Sequence, residues 1–317
     1  MSDVLTVGEL LAEFMAERVG QTFCEPGTFL GPYPSGAPAI FADQVAKTGA
    51  SAAMVGWVGE DGFGDLILNR LRGDGVNVSG IHRADRLPTG TAFVTYRKDG
   101  SREFIFNLAN SATSLMDAGS VDASLTDGCR FFHVMGTSLT SKGMIAAVRL
   151  GIQRVKEGGG RVSFDPNIRR EVMSSDFIRD AIDLVLKECD ILLPSEADLR
   201  YFCGNLAEAE AVHQLFDKWT LERVVVKNAA QGSTYYDRAQ SIHVPSFKVT
   251  EVDPTGAGDC FGGTLISCLA QGIDLERTLT LANAAGALAV TKRGPMEGNT
   301  TLSELEPFIA SAERTTL

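Results

Sequence analysis

Residues 253–261 read Asp-Pro-Thr-Gly-Ala-Gly-Asp-Cys-Phe and hold the densest chemistry in the chain. Gly256, Ala257 and Gly258 carry almost no side chain, so their amide N–H groups can press directly against an anion. Phe261, Leu265, Cys268 and Leu269 recur at helical spacing up to the stop at Gly272, which predicts that a helix begins at this turn. A helix start aims the positive end of its dipole at the same anion. Asp259, in that first turn, can accept the proton of a hydroxyl aligned on a phosphate. Anion cradle and base then share one turn, as phosphoryl transfer to an alcohol requires. A glycine turn merely capped by an aspartate would carry the same residues. Two other phosphate loops are excluded: no G-x-x-x-x-G-K-[ST] occurs, and Phe261 stands where a dinucleotide loop needs its third glycine.

The stretch resembles the second signature of the ribokinase-like PfkB carbohydrate kinases, D-T-x-G-A-G-D. Ser35-Gly36-Ala37-Pro38-Ala39, Gly49, and Gly56-x-x-Gly59-Glu60-Asp61-x-Phe63-Gly64 are similar to that family's first signature. Asp165-Pro166-Asn167-x-Arg169, residues 224–227 through Gly232, Ala282-Asn283-Ala284-Ala285-Gly286-Ala287 and Arg293-Gly294-Pro295 follow in family order. The resemblance implies that Asp259 is the catalytic base and that the Gly256, Ala257 and Gly258 amides form the anion hole. It implies ATP on Lys227, Asn228, Gly232, Thr255, Gly256, Gly258, Asn283 and Ala287, although a solvated lysine remains an alternative reading of Lys227. It implies Mg2+ with the ATP, and a K+ ion near Asp253 and Thr255 as in part of the family.

Departures from the family pattern bear on metal and sugar. The magnesium-linked N-x-x-E motif appears as Ser195-Glu196-Ala197-Asp198, so Glu196 and Asp198 are expected to order Mg2+ through water. On the sugar side the expected contacts are Gly36, Ala37, Ile40, Tyr96, Asn107 and Arg169, together with Asp259. Ile40 replaces a sugar-binding Asn, and Asp43 on the same helix is a candidate substitute acceptor. The usual sugar-binding Asp near the N-terminus is missing, with Glu9 and Glu13 the nearby carboxylates. The subgroup most similar in pattern is the 2-keto-3-deoxygluconate kinases, which implies a sugar acid phosphorylated on a primary hydroxyl. Leu108 stands where that subgroup has an arginine to clamp the acid, so a neutral ketohexose such as tagatose or fructose is the alternative. A non-catalytic sugar sensor on the same fold is a further one.

These residues need a scaffold, and the pattern supplies it. Strand-like runs at 4–7, 52–58, 131–135, 161–164, 191–193 and 223–226 alternate with helical periods such as Ile145, Val148, Ile152 and Val155. Such alternation predicts a parallel sheet covered on both faces, with ligands at the strands' carboxyl ends. Residues 91–97 and 102–107 flank Lys98-Asp99-Gly100-Ser101 and predict a hairpin. Residues 11–15 and 29–33 are further strand candidates outside the alternation. The resemblance to the family implies the class, an α/β ribokinase-like three-layer sandwich, with a small β lid at these strands. The core is expected at 1–10, 36–88 and 111–317, and the lid at 11–35 and 89–110. A lid would keep water from competing as acceptor.

Composition agrees with such an enzyme. The chain has 317 residues and a net charge of −11, which argues against a nucleic-acid partner. No run of 18 apolar residues predicts a membrane span, and the N-terminus lacks the pattern of a signal peptide. Six scattered cysteines form no C-x-x-C pair and read as reduced thiols of a cytoplasmic protein. The four histidines lack metal-ligand spacing. An apolar lid face with Phe93, Phe104 and Phe106 suggests pairing of two copies through the lid.

Overall fold

The computed structural model describes residues 2–168 and 176–315. In chain order the elements are β1 (Val4–Val7), β2 (Leu11–Ala16), β3 (Phe29–Ser35), α1 (Ala37–Lys47), β4 (Ala52–Gly59), α2 (Gly62–Gly73), β5 (Asn77–Ala84), β6 (Gly90–Tyr96) and β7 (Arg102–Asn107). The chain continues with α3 (Ala123–Thr126), β8 (Phe131–Met135), α4 (Lys142–Glu157), β9 (Arg161–Asp165), α5 (Asp176–Glu188), β10 (Ile191–Leu192), α6 (Glu196–Cys203) and α7 (Glu208–Lys218). It ends with β11 (Arg223–Lys227), β12 (Ser233–Tyr236), β13 (Ser241–Val244), α8 (Ala257–Gln271), α9 (Leu275–Ala289) and α10 (Leu302–Ser311).

The large sheet has nine strands in the order β13-β12-β11-β10-β9-β8-β1-β4-β5. Every neighbouring pair from β11 to β5 is parallel, while β12 and β13 add an antiparallel edge. Successive side chains of a strand point to opposite faces, and here each face meets its own helices. Leu5, Phe132 and Val134 pack with Val148 and Val185 of α4 and α5. Val4, Phe131 and Met135 pack instead with Phe41, Phe261 and Leu265 of α1 and α8. The result is the three-layer α/β sandwich that the alternation predicts. Its parallel strands end at Asp165 and Lys227 on one edge, where the site forms.

A second, four-stranded sheet runs β3-β2-β6-β7. The predicted hairpin is β6–β7, closed at the turn by Arg97 N–H donating to Ser101 O at 2.8 Å, with Gly100 at φ 82°. β7 is the outer strand, with Ile105 and Phe106 each 45% exposed. Among the described residues no helix is long and apolar enough to cross a membrane.

Candidate active site

The glycine turn has the geometry that an anion cradle requires. Gly256 sits in the left-handed region at φ 83°, and a Cβ there would lie 2.4 Å from Pro295 O. Only glycine fits both the dihedral and the space. As the N-cap of α8, Gly256 offers no side-chain acceptor to the helix amides. The first rung of the α8 ladder is Cys260 N–H to Gly256 O at 2.8 Å, which leaves the Gly258 amide without a carbonyl inside the helix. Asp253 holds the turn in place from below. Its Oδ1 accepts from Thr255 N–H (3.0 Å) and Thr255 Oγ1 (2.7 Å), and its Oδ2 accepts from Gly294 N–H at 3.1 Å.

The turn opens into a cavity of about 1130 Å3 that Asp259 also lines. On one side lie Lys227, Gly232, Asn283 and Ala287, at the end of β11 and along α9. Lys227 forms an ion pair with Asp165, the last residue of β9. Burial by itself would lower the Lys227 ammonium. Asp165, and then Asp198 and Asp259, outweigh that and hold it above the usual lysine range, so it stays charged at neutral pH. Its Nζ lies 3.5 Å from where a Cβ on Gly258 would sit, which puts the charge beside the glycine turn.

On the other side the wall is made by Glu9, Glu13, Ser35, Gly36, Ala37 and Ile40. The two glutamates are 6% and 4% exposed. Thr137 Oγ1 and Ser138 Oγ donate to Glu9 at 2.9 and 2.6 Å, and Ser35 Oγ donates to Glu13 at 2.6 Å. Arg102, Phe104 and Phe106, alternate residues of β7, roof the cavity from the small sheet. One cavity therefore joins the glycine turn, the Asp259 carboxylate, a lysine and a carboxylate-rich wall.

Residues 1–302 match the model of the pfkB family carbohydrate kinases. This chain belongs to that family. It is 35% identical to Fructokinase-1 of Zea mays over 98% of each chain. Among solved structures it is similar to the E. coli protein described as ribokinase II in complex with ATP and Mg2+. That likeness has 47% identity and a TM-score of 0.92, over 98% of this chain and 99% of that one. It is also similar to a Vibrio cholerae O395 fructokinase double mutant with fructose, ADP and potassium bound, at 27% identity and a TM-score of 0.85 over 98% of each chain.

In this pfkB family carbohydrate kinase, several residues expected at the site lie elsewhere. Asp43 is fully buried and accepts from Asn299 Nδ2 at 2.7 Å, with Arg70 at 3.6 Å. It faces away from the cavity, so it does not replace the missing sugar-binding Asn. Glu196 is exposed, pairs with Arg200 at 3.1 Å and does not line the cavity. Asp198 lines it, but its oxygens serve as acceptors for Ile168 N–H (2.8 Å) and for Ser195 N–H and Oγ (2.7 and 2.6 Å). Its first duty is to cap α6. Asn228 donates to Glu208 at 2.8 Å, and Asn107 donates to Thr91 at 3.1 Å and lines a separate 590 Å3 cavity. Tyr96 is half-buried beneath the roof, beside Asp253 and Thr255 rather than on the wall. Arg169 lies outside the described residues. The sequence reading missed Arg102 as a site residue, along with Asp165 as the partner of Lys227.

Proposed function

We propose that this carbohydrate kinase is an ATP-dependent ketohexose kinase that phosphorylates a primary hydroxyl of fructose or tagatose. The observation that carries the reading is the shared cavity: the glycine turn at the start of α8, Asp259 beside it, and hydroxyl-accepting glutamates across the same space. The fructokinase relatives support a neutral ketohexose over the 2-keto-3-deoxy acid that the subgroup pattern implied. Leu108 on the cavity wall supports it too, because an apolar side chain offers a carboxylate nothing to bind.

In the step itself, the sugar hydroxyl oxygen bonds to the γ-phosphorus of ATP. The bond from that phosphorus to the β,γ-bridging oxygen breaks, and ADP departs with its electron pair. The hydroxyl proton passes to the Asp259 carboxylate. Proton transfer is late in a loose transition state, so Asp259 chiefly orients the hydroxyl. The amides of the glycine turn, Gly258 foremost, and the Lys227 ammonium receive the phosphate charge.

Mg2+ would arrive on the ATP phosphates and keep several waters, neutralising phosphate charge. Among the described residues no cluster of three or more His, Cys, Asp and Glu forms a metal cage, and that donor set suits an ion held by phosphates and water. Asp253 is 1% exposed and makes no salt bridge among the described residues, so the turn it anchors fits a K+ ion. We further place the chain in the cytoplasm, where its free cysteines would stay reduced, and read the small sheet as a lid. The exposed outer edge of β7 suits pairing with a second copy.

The test is ADP release with ATP and a panel of ketohexoses, aldohexoses and 2-keto-3-deoxy acids. The reading expects turnover to be greatest with fructose or tagatose. Preference for the sugar acid contradicts the ketohexose reading, and no sugar-dependent ADP release contradicts the kinase reading.

A further inference from the structure

Among the described residues the cationic side chains lining the cavity are Arg102, Lys227 and Lys248. Lys227 is committed to Asp165, and Lys248 pairs with Glu313 at 3.0 Å. Arg102 has no carboxylate partner among the described residues, and a different anchorage holds it. Its Nη1 donates to Thr255 Oγ1 at 3.0 Å across 153 residues of sequence, and Thr255 Oγ1 donates on to Asp253 at 2.7 Å. The guanidinium carbon lies 5.6 Å from the centre of the Phe104 ring. Thr255 immediately precedes Gly256, so the small sheet holds a positive charge beside the amide cradle, with most of its donor fork unused.

The cradle amides supply dipoles but no net charge. A transferring phosphoryl group spreads negative charge over its equatorial oxygens, and a planar guanidinium matches that arrangement. Resting on the kinase reading above, we propose that Arg102 is a catalytic residue that donates to the equatorial oxygens of the transferring phosphoryl group. It stabilises that charge and exchanges no atoms or electrons with it. The roof strand is then part of the catalytic machinery as well as a cover.

The experiment compares wild type with Arg102→Gln, Arg102→Ala and Arg102→Lys, using ATP and fructose. Gln keeps a donor for Thr255 but loses the charge. The proposal expects kcat to fall about 10²–10³-fold in both Gln and Ala variants, with kcat/KM falling equally. Lys should recover about tenfold over Gln, because charge returns without the fork. As a second readout, ADP with aluminium fluoride and fructose should raise the wild-type melting temperature above ADP and fructose alone, and that increment should vanish in Arg102→Gln. Arg102 is exposed, so the unliganded variants should melt with wild type. Turnover of Arg102→Gln within about threefold of wild type, or a loss confined to KM, overturns the proposal. Wild type inactive on every sugar would instead overturn the kinase reading beneath it.

Discussion

Lys227 and Asp165 close a buried ion pair at the carboxyl edge of the large sheet, joining the last residues of two strands that flank β10. Lys227 also faces the Gly258 position, so the pair fixes a positive charge beneath the glycine turn. Removing one member leaves the other's charge buried and unpaired, which typically costs about 3–5 kcal/mol. Lys227→Met should therefore lose stability in urea unfolding, and Lys227→Met with Asp165→Asn should regain part of it. Turnover should stay low in both, since the charge itself is gone. Equal stability of single and double variants would show that the pair is not coupled.

The turn before α8 makes a sharper steric prediction. Gly256→Ala must hold a side chain at φ 83° with its Cβ 2.4 Å from Pro295 O. A left-handed non-glycine residue costs roughly 1–2 kcal/mol before the clash is counted. The loss of turnover should exceed the loss of stability, because a displaced turn moves the amides off the phosphate. An alanine enzyme with wild-type kcat would mean that the turn does not touch the reacting group.

Asp43 gives a pH signature. Burial first, and then the neighbouring Asp74 carboxylate, push its carboxyl up to about 8 against the pull of Arg70, from an ordinary 3.8. The folded protein holds this proton more tightly than the unfolded chain does. The group's contribution is therefore complete below the unfolded value and is lost as pH rises through about 8. Asp43→Asn has nothing to titrate, so its stability relative to wild type should climb from about pH 5 to about pH 9. Urea midpoints that run parallel across that range would contradict this account.

Specificity should turn on Leu108, which lines the cavity and packs near Gly90. A bonded guanidinium is worth about 1.5–3 kcal/mol against a carboxylate. Leu108→Arg should therefore shift the kcat/KM ratio of 2-keto-3-deoxygluconate to fructose upward by roughly 10–100-fold. An unchanged ratio would place the acceptor away from this wall.

Much of this was legible in sequence, for local reasons. The α8 turn declares itself because its glycines, Asp259 and its apolar helix period lie within a few residues, and strand–helix alternation sets the parallel sheet. Strands β5, β12 and β13 were not recognised: β12 and β13 form an antiparallel edge outside the alternation, and β5 carries His82 and Arg83 amid its apolar residues. Asp43 misled because residues 38–45 of α1 are all buried, so no polar face shows which side meets the cavity. Glu196 and Asp198 are two apart on one helix and cannot share a face. The approach of Arg102 to Thr255 is a long-range meeting of the small sheet with the turn before α8, which no local pattern encodes.

The most direct test of the central claim is the turnover of Asp259→Asn with ATP and fructose, beside its affinity for ATP. Asparagine preserves size and hydrogen bonding at the start of α8 but cannot take the hydroxyl proton. The account predicts a fall in kcat of about 10²–10⁴-fold with ATP binding and melting temperature retained. An Asp259→Asn enzyme turning over within about threefold of wild type would contradict it.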